Sequence, residues 1–135
     1  MKLPSGAHVA VIDGERFVLL RNTGDAVHPN LGEGQEPAVD ATNKSQGKMR
    51  HSITTSQHRG DDLNEAAHVS AAAEWLNHAV LTNKIDELVI VADARSLGEL
   101  RRHYHKELEA RLIGEVGKAL TNRPVQEVEQ AILAA

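Results

Sequence analysis

Five consecutive apolar residues, Leu88-Val89-Ile90-Val91-Ala92, constrain the fold of this chain more than any other stretch. Their length and β-branched content are those of a strand buried on both faces, and such strands belong to sheets covered by helices. The predicted strand is 87–92. It ends at Asp93, the strand end where open α/β sheets carry their chemistry. Ser96-Leu97-Gly98-Glu99 has the spacing of a capping box and predicts a helix opening at Ser96. Leu97, Leu100, Tyr104 and Leu108 fall on one side of that helix, and His103, His105 and Lys106 mark a bend or break. Arg111 to Gly117 alternates as a strand does. Pro124 to Leu133 predicts a final helix, with Pro124 in its first turn and Val125, Val128 and Ile132 on its apolar stripe. Strand, helix and strand in succession make a βαβ unit with parallel strands.

The earlier half supplies a hairpin and a long helix. Val9 and Val11, then Phe17 to Leu20, are good strand formers on either side of Asp13-Gly14. That dipeptide accepts the positive φ angles of a tight turn, so strands are expected near 7–12 and 16–22, with Asp13 as a turn residue. From 62 to 83 the sequence predicts one amphipathic helix. Asp62 and Glu65 have capping-box spacing, Asn83 suits the C-terminal end, and Val69, Ala72, Ala73, Leu76, Ala79 and Val80 share a face bordered by Trp75. The alanines on that stripe imply close approach to the sheet.

Between hairpin and helix, residues 23–61 read as one long polar loop, with a brief strand around Ser52-Ile53-Thr54. A packed domain rarely carries so long a loop without a use for it. Its charge is divided. Asp25, Glu33, Glu36 and Asp40 lie in the first half, and Lys44, Lys48, Arg50 and Arg59 in the second, beside His51 and His58. A compact basic segment of this kind suits contact with phosphates.

Length and composition narrow the classes of function. At 135 residues the chain fits one domain, 1–135, with a real core. The net charge of −4 argues against a bulk nucleic-acid coat protein. No cysteine is present, which removes disulfides, thiolate metal sites and a cysteine nucleophile. One Trp, one Tyr and one Phe are too few for an aromatic platform that stacks bases. The opening Met1-Lys2-Leu3-Pro4-Ser5-Gly6 lacks a signal-peptide core and no run reaches membrane-spanning length, so a cytoplasmic location without membrane contact is expected.

The eight histidines do not fall at ligand spacing: His103 and His105 point to different sides of a helix, and His68 and His78 lie almost three turns apart. No Walker loop, dinucleotide-binding glycine turn or nucleophile elbow is present. No metal and no cofactor are expected. One alternative is open: Asp13 and Asp93, both at strand ends, could hold Mg²⁺ in a small hydrolase or nuclease.

The carboxy-terminal text LVIVADARSLGELR at 88–101 and LEARLIGEVGKALTNRPVQEVEQ at 108–130, with VAVIDGERFVLLRNTG at 9–24, resembles the bacterial host-attachment protein family. The shared pattern is a strand, a Leu-Gly-x-Leu-Arg helix, an Arg-x-x-x-Glu-Val strand, a Lys-Asp-Leu-Thr stretch and an acidic helix after Pro. Here Ala119 stands where the pattern has Asp. That family is similar in turn to the middle domain of archaeal and eukaryotic peptide-chain release factors. The resemblance implies an α/β domain of ribonuclease-H-like type, a mixed sheet with an N-terminal hairpin and flanking helices. In those release factors a Gly-Gly-Gln loop before the long helix enters the peptidyl-transferase centre and helps water attack the peptidyl-tRNA ester. The matching stretch here is Lys44-Ser45-Gln46-Gly47-Lys48-Met49-Arg50. It makes Gln46 and Gly47 the catalytic candidates by position, without the ordered triplet. The resemblance implies a module that binds ribosome or tRNA through Lys44, Lys48, Arg50 and Arg59, with catalysis open. A role in host attachment is the alternative.

Overall fold

The computed structural model describes residues 1–32, 34–39 and 57–135, leaving out the side chains of 57–62. The expected strand at 52–54 lies outside these residues. Strands β1 (His8–Ile12), β2 (Phe17–Arg21), β3 (Leu88–Ala92) and β4 (Leu112–Val116) form one sheet in the order β2-β1-β3-β4. β1 and β2 are the antiparallel hairpin, whereas β3 runs parallel to both β1 and β4. Every residue of β3 is buried, as its unbroken apolar run requires of a central strand.

Helices cover both faces. Helix α1 (Gln57–Leu81) connects β1–β2 to β3, and α2 (Ala94–Arg101) with α3 (Lys106–Arg111) connects β3 to β4. All three pack on one face, where Ala10, Ile12, Ile90 and Ala92 meet Ala72, Ala73, Leu76, Leu97, Leu100 and Leu108. Helix α4 (Val125–Ala134) covers the other face, placing Val128 and Ile132 against Val9, Val11, Val89 and Val91. The result is a single three-layer α/β domain. Period-two alternation along the strands divides the core: even-numbered residues of β1 and β3 face α1, odd-numbered ones α4.

The predicted stripe of α1 is buried throughout, and Trp75 at its border meets Phe17 edge to face at 5.4 Å between ring centroids. The helix begins five residues before Asp62, however. An Asp-x-x-Glu spacing is also tolerated inside a helix, and of the preceding Gln57, His58, Arg59 and Gly60 only the glycine opposes helix formation strongly. At the other end Asn83 adopts φ 62°. The Asn83 amide donates to the Val80 carbonyl and the Lys84 amide to that of Ala79, at 3.1 and 2.8 Å, which is a Schellman termination.

Two local expectations are corrected, and the expected break between helices is found. Helix α2 is capped by Asp93, whose carboxylate accepts from the Ser96 amide at 3.1 Å, so Ser96 is a buried first-turn residue and no cap. Aspartate is as good a cap as serine and stands immediately after the strand. The hairpin turn holds four residues, since Ile12 pairs with Phe17, and Gly14 does not take a positive φ. Glycine is needed there for another reason: a Cβ at residue 14 would lie 2.7 Å from Glu65 Cβ on α1. The break at His103–His105 separates α2 from α3, with the His105 ring accepting from the Glu107 amide as the α3 cap.

Part of the polar stretch after the hairpin is also built into the fold. Gln35 bridges to Leu19 and Leu31 to Asn22 along the outer side of β2. Asn22 is the hub: its amide nitrogen donates to the carbonyls of Leu3, Pro4 and Asp25, and its oxygen accepts from the amides of Gly24 and Asn30. With 1 % exposure and every polar atom satisfied, it fixes the turn at 23–30 against the amino-terminal segment.

Candidate functional site

Parallel pairing of β1 with β3 brings their carboxyl ends side by side, and with them Asp13 and Asp93. Between these ends and α1 lies an open cleft of about 380 Å³, lined among others by Asp13, Glu15, Glu65, Asp93, Arg95 and Glu99. Arg95 stands 4.0 Å from Glu65 across it.

The two aspartates are committed to the backbone around them. One carboxylate oxygen of Asp13 accepts from the amides of Glu15 and Arg16 at 2.8 and 2.6 Å. The other accepts from the Thr121 hydroxyl. Partial burial acts to raise the Asp13 pKa, but the hydrogen bonds from Thr121, Glu15 and Arg16 outweigh it, and the carboxyl lies below its ordinary value. It is therefore ionised at neutral pH and its lone pairs are largely taken. The backbone carbonyl of Asp13 lies 3.0 Å from Nδ1 of His68 on α1. Asp93 serves as the α2 cap. No three Asp, Glu or His side chains among the described residues are placed to hold a metal ion together. As arranged, the cleft is an acidic recess whose two strand-end carboxylates are engaged, one in the hairpin turn and one as a helix cap.

On the opposite face Arg16 ties three segments together. Its Nε and Nη2 donate to Glu36 at 3.0 and 2.7 Å, and its Nη1 donates to the Thr121 carbonyl and the Asn122 side chain at 3.1 and 2.9 Å. Asp13 and Arg16, from one hairpin turn, thus hold the Thr121-Asn122 stretch in place. Neither Arg16 nor Thr121 stands out by spacing alone, because the contacts between them span about a hundred residues. A groove of about 500 Å³ with Val11, Val18, Leu20 and Val128 in its lining lies beside this junction.

A second cluster joins α2 to β4. Arg101 grips Glu115 with Nε at 3.2 Å and Nη2 at 2.9 Å, and the Tyr104 hydroxyl donates to the same carboxylate at 2.9 Å. Burial first, and the adjacent Glu115 charge second, push the Tyr104 phenol well above its usual range, so it remains a donor. Arg111 pairs with Asp86 at 2.6 Å. The arginines and glutamate of the Leu-Gly-x-Leu-Arg and Arg-x-x-x-Glu-Val patterns are accordingly occupied in holding elements together.

Of the residues singled out from the sequence, Lys44, Gln46, Gly47, Lys48 and Arg50 lie outside the described residues. Arg59 falls within the first turns of α1, but its side chain is not among those described. The basic segment thus leads directly into the amino terminus of the 25-residue α1, the longest helix among the described residues. No helix among those residues is long and apolar enough to cross a membrane.

These features define a class: a small three-layer α/β domain whose polar central segment enters a long helix packed on a mixed sheet. The chain belongs to bacterial archaeo-eukaryotic release factor family 12, whose family model matches residues 7–132. It is a release-factor-like module. No curated protein matches it.

Proposed function

We propose that this release-factor-like module binds the ribosome or tRNA, and that Lys44, Lys48, Arg50 and Arg59 contact RNA phosphates. The observation that carries the reading is the family match, whose range, 7–132, includes this segment. Its placement supports it: the segment leads into α1, as the catalytic loop of peptide-chain release factors precedes their long helix. In this reading the domain is of ribonuclease-H-like type, and Gln46 and Gly47 are the residues nearest in position to a catalytic loop. An effect on host attachment would be an indirect consequence of action in translation. The Mg²⁺ hydrolase reading has less support, since Asp13 already accepts three hydrogen bonds and Asp93 caps a helix.

Co-sedimentation with ribosomes at two salt concentrations tests the proposal. Each phosphate contact releases counterions, so binding by the wild type should weaken steeply with salt. Replacing Lys44, Lys48, Arg50 and Arg59 by Ser should flatten that dependence without lowering the melting temperature. Equal co-sedimentation of the two proteins would remove this segment from the function.

A further inference from the structure

The segment from Arg95 to Arg111 carries five Lys and Arg against three Asp and Glu, in a chain whose net charge is −4. Four of its basic residues, Arg101, Arg102, His105 and Lys106, are exposed around the junction between α2 and α3, with His103 partly so. The acids that pair with them are recessed. Side-chain exposure is 57 % for Arg101 and 74 % for Arg102, against 22 % for Glu115 and 17 % for Glu99. The carboxylates that pair with Arg101 and Arg102 thus lie beneath and the guanidinium groups above, while Glu107 and Glu109 of α3, which pair with neither, are exposed farther along.

The pairs also orient the cations. Glu115 holds Arg101 through Nε and Nη2, and Glu99 holds Arg102 through Nη1 at 3.2 Å and faces the His103 ring at 3.2 Å. Nη1 of Arg101 and Nη2 of Arg102 make no hydrogen bond to another described residue, which leaves each a donor for an outside acceptor. The backbone beneath is fixed from α1: the Asn77 amide donates to the His103 carbonyl at 2.8 Å and accepts from the His105 amide at 3.0 Å. Arginines held by recessed carboxylates on a clamped turn lose little freedom when an anion arrives, and their planar forks suit phosphate oxygens.

We propose that the α2–α3 junction, centred on Arg101, Arg102 and Lys106, is a second contact surface for the phosphate backbone of RNA. The proposal rests on the functional reading above and extends it to a different part of the molecule. Asn77 lies twenty residues along α1 from Gln57, about 30 Å at the rise of an α-helix. The junction therefore lies well away from the start of α1.

The test compares three proteins on bulk tRNA and on purified ribosomes across a salt series: the wild type, the Lys44/Lys48/Arg50/Arg59 to Ser variant, and R102Q/K106Q. Arg101 is left in place because its loss would strand Glu115 and Tyr104. Glutamine keeps most of each stem, and both positions are exposed, so R102Q/K106Q should melt with the wild type; K106Q alone serves as a milder second variant. Removing two phosphate contacts should reduce the log–log salt slope by about 1.4 to 1.8, and one contact by about half that. A wild-type slope in R102Q/K106Q and K106Q, with binding reduced in the Ser variant, overturns the junction and leaves the functional reading standing. A reduced slope in R102Q/K106Q with an unchanged Ser variant supports the junction and removes the loop. No binding of either RNA by the wild type removes both. Polyglutamate bound as tightly as tRNA overturns the choice of RNA in favour of an acidic protein.

Discussion

Leu76 and Leu81 lie on the same helix five residues apart, yet one is fully buried and the other 51 % exposed. That contrast gives a controlled test of how α1 is held. Leu76 has no accessible surface and packs in the cluster that joins α1 to β1 and β3. Burying a leucine side chain contributes about 1.5 to 3 kcal/mol, which L76D forfeits. The new carboxylate has no cation in that apolar cluster, and an unpaired buried charge costs about several kcal/mol more. Together the losses reach about 5 kcal/mol or more, comparable with the about 5 to 15 kcal/mol that stabilise a typical domain. L76D should therefore be largely unfolded at 25 °C by far-ultraviolet circular dichroism. L76A, which leaves a cavity without a charge, should remain folded and lose about 2 to 5 kcal/mol in urea titration. L81D, at the half-exposed carboxyl end of the helix, should cost only about 1 to 2 kcal/mol and remain folded. A melting temperature for L76D close to that of L81D would refute the packing of α1 on the sheet.

Two further outcomes follow from the polar clusters. Asp13→Ala removes a carboxylate that accepts from Glu15, Arg16 and Thr121, and should cost about 1 to 3 kcal/mol in denaturant titration. Because the folded pKa of Asp13 is depressed, its stabilisation is complete at neutral pH and is lost as pH falls through that lowered value; the variant should lack this share of acid sensitivity. His8 has a buried Nδ1 without a hydrogen-bond partner, and burial first, then Arg21, lowers its pKa from the usual 6.5. The folded state thus resists protonation, so stability should fall as pH drops below about 6.5, and His8→Leu should reduce the difference in melting temperature between pH 7.5 and 5.5. An unchanged difference would show that His8 is not the group responsible.

The elements that could be read from the sequence are those whose signal is local and repeated. β3 is an uninterrupted apolar run and α1 a stripe at helical spacing, and both persist because the burial that rewards them acts along their whole length. Ends were harder. Asp62 with Glu65 and Ser96 with Glu99 both have cap spacing, yet the chain enters α1 at Gln57 and α2 after Asp93. A side chain that can cap a helix is also tolerated one turn inside it, so spacing leaves the first turn undetermined. Asp13-Gly14 shows the same degeneracy in a turn: the glycine answers the approach of Glu65 rather than a backbone angle. Asn22 gave no local signal at all, because its partners stand on either side of it at separations from two to nineteen residues without a period.

The patterns that carry the resemblance contain charged residues, and charged residues in a shared pattern invite a chemical reading. The structure gives them mechanical work. Arg101 and Glu115 bind α2 to β4, Thr121 is held by Asp13 and Arg16 from the hairpin, and Arg111 anchors to Asp86. A resemblance carried by such positions is evidence of architecture and requires no chemistry at the shared charges. The two kinds of residue differ in how they should fail. Loss of Arg111 or Thr121 removes contacts between elements, so stability falls and any binding falls with it in proportion to the unfolded fraction. Loss of Lys44, Lys48, Arg50 and Arg59 removes cations from a polar segment outside the buried stripes, so binding and its salt dependence should change while the melting temperature holds. Stability and salt slope, measured on the same variants, therefore separate the residues that build the domain from those proposed to contact RNA.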